Sequence, residues 1–279
     1  MAEPVDDLPA PAMLERLRHV AEVAARAGGM VAKQHFGGAL HVEFKPDRSE
    51  VSDADHAAQA AVVAVLRAAR PDDALLAEES LADTPGPLTP PRDDIPCWVI
   101  DPLDGTRNFV RRIALYACSV GLMLNGQPLV GAVYDPVREI LYSAIRGGPL
   151  LVNGQPHQGA AAASATESGR RPVVALPSLA CGPIAAIAHQ WLDRCVCRNL
   201  GSTALHLAMV ATGELDAALF DNARLWDLAA GGVLIDAAGG RMTTPAGTAL
   251  FPLTVARYAG EELPAIAVGP RLGDRLPVL

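Results

Sequence analysis

The chain has 279 residues, half of them hydrophobic but only 4% aromatic, so it can bury a sizeable core built mainly of Ala, Val, Leu and Ile. Its formal net charge is −8 and it carries no Lys/Arg-rich run, which argues against nucleic acid and anionic membranes as partners. No uncharged apolar run approaches the roughly 18 residues that span a bilayer, the acidic, proline-containing start is unlike a secretory leader, and five cysteines without a paired CxxC fit buried, reduced thiols in a cytoplasmic protein.

Residues 1–11 read as a tail. From Ala12 to Phe36 apolar residues recur at helical spacing (Leu14, Leu17, Val20, Val23, Ala24, Ala27, Val31), and Gly37-Gly38 stops the helix. A short strand, Val42 to Phe44, leads into a polar loop from Lys45 to Glu50. Ser52 or Asp53 then caps a second helix, about Ala54 to Ala69. Ala74 to Ala77 is a short strand that delivers Glu78 and Glu79 to its end. Five prolines make Ser80 to Pro96 a surface loop.

Trp98 to Ile100 is a buried strand, and Ala114 to Ala144 an antiparallel meander with turns at Asn125-Gly126 and Asp135-Pro136. The Ala/Ser/Gly-rich stretch His157 to Pro172 reads as a hinge between a first half (about 12–155) and a second (about 173–279). Strands at Val173–Leu176, Val196–Arg198, Asp216–Phe220 and Ala265–Val268 alternate there with helices at Pro183–Asp193, Thr203–Ala211 and Trp226–Ala238. That alternation predicts an α/β architecture of stacked layers with a mixed sheet.

The segment Asp101 to Asn108 carries the chemistry. Two aspartates three apart follow a buried strand, and Gly105-Thr106 can open a helix. Carboxylates collect hard divalent cations, and backbone amides at a helix start collect phosphate. Glu78 and Asp227 offer further acids where strand meets loop or helix. Taken singly, each is as readily a cap or a solvated charge; the combination is what points to a metal site.

The motifs also carry a resemblance. Trp98-Val-Ile-Asp-Pro-Leu-Asp-Gly-Thr-Arg-Asn-Phe109 and Leu225-Trp-Asp-Leu-Ala-Ala-Gly-Gly-Val-Leu-Ile-Asp-Ala-Ala-Gly-Gly240 resemble the two signatures of the inositol monophosphatase family. Val51-Ser-Asp-Ala-Asp55, Ala77-Glu-Glu-Ser80, Val130-Gly-Ala-Val-Tyr-Asp-Pro136 and Gly201-Ser-Thr-Ala204 are similar to further family elements, in the same order.

The resemblance implies one phosphatase domain over 12–279 with the αβαβα sandwich shared with fructose-1,6-bisphosphatase. It implies two to three Mg2+ ions: Glu78, Asp101 and the Leu103 carbonyl for the first, Asp101, Asp104 and Asp227 for the second, and a third held near Glu78 largely by water. Asp55 and Thr106 would position the attacking water, with Glu78 completing the catalytic set. Gly105 and Thr106 would bind phosphate, and Thr203, Asp221 and Asp227 would contact the substrate. A small polyol phosphate, inositol monophosphate first, is the implied substrate; nucleoside 3′,5′-bisphosphate, fructose 1,6-bisphosphate, histidinol phosphate and a non-catalytic relative are the alternatives. A homodimer and lithium sensitivity are implied too.

The chain departs from the family pattern at Ala77, at Asp53 (read as a cap), at Thr203, in the long 80–96 loop, and in a shortened approach to Trp226. Lys45 resembles a family lysine near the metal water. His56 is expected on an exposed helix face, His206 in the core, and Arg111-Arg112 at the surface.

Overall fold

The computed structural model describes residues 9–45, 50–82, 84, 87–157 and 170–272. Helix α1 (Pro11–His35) has its proline in the first turn, where the missing N–H costs nothing, and buries Leu14, Leu17, Ala21, Ala24 and Ala25. Helix α2 (Asp53–Ala69) is capped by Ser52, whose N–H and hydroxyl both donate to Asp55 Oδ2, at 2.8 and 2.7 Å. Of the two expected caps Ser52 is the one, and Asp53 is exposed in the first turn. Strand β1 (Val42–Phe44) pairs antiparallel with β2 (Glu50–Ser52). Three residues holding one charge and one hydroxyl gave no apolar run by which to foresee β2.

The large sheet runs β3 (Ala74–Ala77), β4 (Cys97–Asp104), β5 (Ala117–Leu124), β6 (Gln127–Asp135), β7 (Ile140–Ile145), β8 (Leu151–Val152) and β9 (Gln155–Pro156), neighbours in that order. Only the β3–β4 pair is parallel. The expected meander is therefore present and continues two short strands further. Asn125 and Gly126 both have positive φ, 51° and 72°, which closes the β5–β6 hairpin tightly.

The small sheet holds β10 (Val173–Ala175), β11 (Val196–Arg198), β12 (Ala217–Phe220), β13 (Arg241–Thr243) and β14 (Ala265–Val268), ordered β11–β10–β12–β14–β13. It is mixed: parallel on either side of β10, antiparallel on either side of β14. All three residues of β13 are half-buried, so no alternation announced that strand.

Helices complete five layers. Helices α1 and α2 cover one face of the large sheet. Helices α5 (Thr203–Thr212) and α6 (Leu225–Ala237) lie between the sheets, and α4 (Gly182–Arg194) covers the far face of the small one. Within β12, Ala218 and Phe220 face the inner layer while Ala217 and Leu219 face α4. With both faces covered, such strands read as continuous apolar runs. The inner core joins Val133 and Tyr142 of the first half to Leu207 and Leu234 of the second.

Helix α6 rests with its backbone on the large sheet. A Cβ added at Gly131 would lie 2.3 Å from the Ala230 carbonyl oxygen, so only glycine permits the approach. Residues 1–8 of the expected tail, 46–49 of the polar loop and 158–169 of the expected hinge lie outside the described residues, and Pro11 is already helical. Cys97, Cys118 and Cys195 are buried and Cys197 partly so. Cys181 is exposed, against the expectation of buried thiols, because it caps the surface end of α4. No helix among the described residues is long and apolar enough to cross a membrane.

Candidate active site

Asp101 and Asp104 share one site because β4 bulges. Its register with β5 holds to Asp101–Ser119 and resumes at Asp104–Ala117, three steps on one strand against two on the other. In a regular strand residues three apart point to opposite faces; one extra residue brings both onto the same side. The Leu103 N–H donates to Asp101 Oδ1 at 3.0 Å and braces the bulge. Asp227, in the first turn of α6, accepts the Arg224 N–H at 2.7 Å. Carboxylate oxygens of Asp101, Asp104 and Asp227 all lie within 4.8 Å of one another.

The start of α5 holds Asp104. The Ser202 hydroxyl and, at 2.7 Å, the Ala204 N–H both donate to Asp104 Oδ2, while Ser202 Oγ accepts the Leu205 N–H as the helix cap. Burial pushes the Asp104 carboxyl up to about 6, against the pull of those hydrogen bonds. Burial first, and then the neighbouring carboxylates, hold Asp101 and Asp227 well above the usual range. None of the three has an ion-pair partner among the described residues. Crowded carboxylates without a counter-charge, all offering oxygen, suit hard divalent cations.

Glu78 lines the same cavity but stands outside the three-acid group. Its N–H continues the ladder to the Ile100 carbonyl at 3.0 Å. Lys45 Nζ donates to Glu78 Oε1 at 2.8 Å and to Glu79 Oε1 at 2.6 Å. Burial opposes the charge on Lys45, yet the two glutamates outweigh it and raise its pKa.

Thr106 Oγ1 lies 2.8 Å from Asp55 Oδ1 and 3.0 Å from the Leu103 carbonyl. Burial raises the Asp55 pKa despite the bonds from Ser52 and Thr106. Gly105 has φ +100°, and a Cβ there would meet the Leu115 and Gly201 carbonyl oxygens at 3.0 and 3.3 Å. It opens α3 (Thr106–Val110), a helix of little more than one turn. Asn108 Nδ2 donates to the Leu115 carbonyl at 2.8 Å and the Leu200 carbonyl at 2.7 Å, bridging the two halves beside the site.

Above these acids lies a cavity of about 260 Å3, walled by Ser178, Asn199, Thr203 and Asn222. Thr203, expected to contact the substrate, lines this cavity. Asp221 is not among the lining residues: its Oδ2 accepts the Cys181 N–H at 2.7 Å and anchors the approach to α4, and its neighbour Asn222 takes the wall instead. Sequence reasoning missed Ser202, Asn108 and Asn222; only Ser202, a hydroxyl before an apolar helix, gave a signal. His56 is exposed. His206 is buried, accepts the Leu200 N–H at 2.9 Å, and is kept neutral by burial, its pKa pushed down to about 4.

The sequence profile of the inositol monophosphatase family matches residues 13–267. The chain belongs to that family. Inositol monophosphatase 2 of Solanum lycopersicum is 32% identical over 255 residues, covering 88% of this chain and 93% of its own. The Nus factor SuhB of Escherichia coli K12 is 32% identical over 258 residues, covering 91% and 94%. The solved structure of inositol monophosphatase from Anabaena matches with a TM-score of 0.74 at 29% identity, over 95% of this chain and 94% of that one. Membership makes the chain a phosphomonoester hydrolase of a family that uses metal ions and small phosphorylated substrates.

Proposed function

We propose that the chain hydrolyses a small polyol phosphomonoester, inositol monophosphate first, with two to three Mg2+ ions. The convergence of Asp101, Asp104 and Asp227 without an ion-pair partner carries this reading. Those three acids, Glu78 and the Leu103 carbonyl would hold the ions. When bound, divalent cations neutralise phosphate charge and make water acidic enough to attack near neutral pH.

The chain's own residues supply positioning, which phosphoryl transfer chiefly needs. Gly105 and Thr106 hold the phosphate at the bulge. Thr106 donates its proton to Asp55, which leaves its oxygen lone pairs to orient the attacking water. Asp55, made more basic by burial, takes that water's proton through Thr106. Thr203, Asp227 and Asn222, the last in place of Asp221, meet the alcohol. The unit spans 12–279, acts as a homodimer and is inhibited by lithium at the second cation position. A binding-only role fits poorly, since no acid of the set is missing.

The test is phosphate release from inositol monophosphate, fructose 1,6-bisphosphate, a nucleoside 3′,5′-bisphosphate and histidinol phosphate, with Mg2+ or with chelator. Turnover is expected to vanish on chelation. In chelated protein Asp104 titrates near 6 rather than at its ordinary 3.8, so its contribution to stability is present below about 3.8 and lost as pH rises through 6. The melting temperature should therefore fall over that rise, and Mg2+ should restore it. Unchanged turnover in chelator sinks the reading.

A further inference from the structure

We propose that Arg107 is a specificity-determining residue that selects phosphomonoesters carrying a second anionic group. The assignment rests on the phosphatase reading but moves the preferred substrate from the singly anionic inositol monophosphate to a doubly anionic ester.

The charges lining the cavity carry the argument. They belong to Glu50, Glu78, Asp104, Asp227 and Arg107, with His206 held neutral by burial. Glu50 is matched by Arg111, whose Nη1 lies 3.0 Å from both carboxylate oxygens. Glu78 is matched by Lys45 at 2.8 Å. Asp104 and Asp227 belong to the cation-binding cluster. Arg107 is left over. It is exposed, it lines the cavity, and among the described residues no carboxylate pairs with its guanidinium. Of Arg107, Arg111 meets the backbone carbonyl, at 3.3 Å, and not the side chain.

Once cations neutralise the floor, the wall beside Thr106 carries one unmatched positive charge. Arg107 follows Thr106 directly and lines the same cavity, so its long side chain can reach a second group on a substrate whose phosphate Gly105 and Thr106 hold. A planar fork of donors there suits a carboxylate or a second phosphate on the substrate. A neutral polyol ester such as inositol monophosphate offers it nothing beyond hydroxyls. The remaining wall groups, Ser178, Asn199, Thr203 and Asn222, are uncharged and do not discriminate on charge.

The experiment compares the full chain with Arg107→Met, which keeps the stem and removes the charge, and with Arg107→Lys, all with Mg2+. Substrates are inositol 1-phosphate (one anionic group), fructose 1,6-bisphosphate (a second phosphate) and 3-phosphoglycerate (a carboxylate). At least one doubly anionic ester should exceed inositol 1-phosphate in kcat/KM. Arg107→Met should raise its KM about fivefold, the effect of one exposed charge pair, with kcat little changed. Arg107→Lys should recover part of the loss, added salt should shrink the preference, and inositol 1-phosphate should be indifferent to all three changes. The ester that suffers identifies the second anion as phosphate or carboxylate. Equal losses on all three esters, or none on any, would overturn the assignment. Mg2+-dependent release from no ester at all would overturn the phosphatase reading and this assignment with it. Unchanged melting temperatures would exclude misfolding, as expected for an exposed side chain that pairs with no carboxylate among the described residues.

Discussion

Buried acids sit against both ends of strand β4, treated in opposite ways. Near its start, Asp73 receives the Trp98 indole N–H at 2.9 Å and both arms of Arg70, Nε at 2.9 Å and Nη2 at 2.8 Å. At its far end Asp101 and Asp104 meet Asp227 with backbone and hydroxyl donors but no guanidinium. An acid given its own cation is satisfied within the chain and serves the fold. Acids gathered without one are held charged only if something outside the chain completes them. The same side chain, set against opposite ends of one strand, is structural in one place and chemical in the other.

That contrast can be broken by substitution. Asp104→Asn should lower kcat by roughly a thousandfold or more, through lost charge at the cation site, while the circular dichroism spectrum stays native. Near-normal turnover would remove Asp104 from the chemistry. Thr106→Ala should cost about a hundredfold in kcat, with Mg2+ binding by titration calorimetry unchanged. A loss of metal binding there would make Thr106 a scaffold for the Leu103 carbonyl instead. Asp73→Asn should do the reverse of both: about 2 kcal/mol lost from the urea unfolding free energy, with kcat per folded molecule intact. If Asp73→Asn abolished turnover in folded protein, the division between the two ends of β4 would fail.

The smallest effect sharpens the picture from the side of a base. His206 stays neutral in the fold down to about 4, whereas an unfolded histidine protonates near 6.5. Its contribution to stability is thus present above 6.5 and lost as pH falls towards 4. In Mg2+-loaded protein the melting temperature should drop over that interval, and His206→Gln should flatten the drop. An unchanged slope would show that other groups carry it.

Much of this was legible in the residues. The helices of both halves and the meander follow from apolar spacing and turn chemistry, and Asp101, Asp104 and Asp227 converge as the motifs implied. Strands β2 and β13 escaped because each is three residues long with no fully apolar, buried run. Asp221 went astray for a different reason. Sequence places a residue on a loop but not the direction of its side chain, and here a free N–H at the start of α4 captured it. The extra residue in β4 was equally invisible, since a bulge is a fact of pairing between strands.

Asn108 clamps Leu115 to Leu200, and Ser202 ties α5 to Asp104, so the acid-bearing floor is fastened from two sides. Ser178, Asn199 and Asn222, by contrast, line the rim without a hydrogen bond to any of those acids. Such a design lets the rim drift under selection for a new alcohol while the reacting end stays put, which is how one hydrolytic machine can be refitted for different customers.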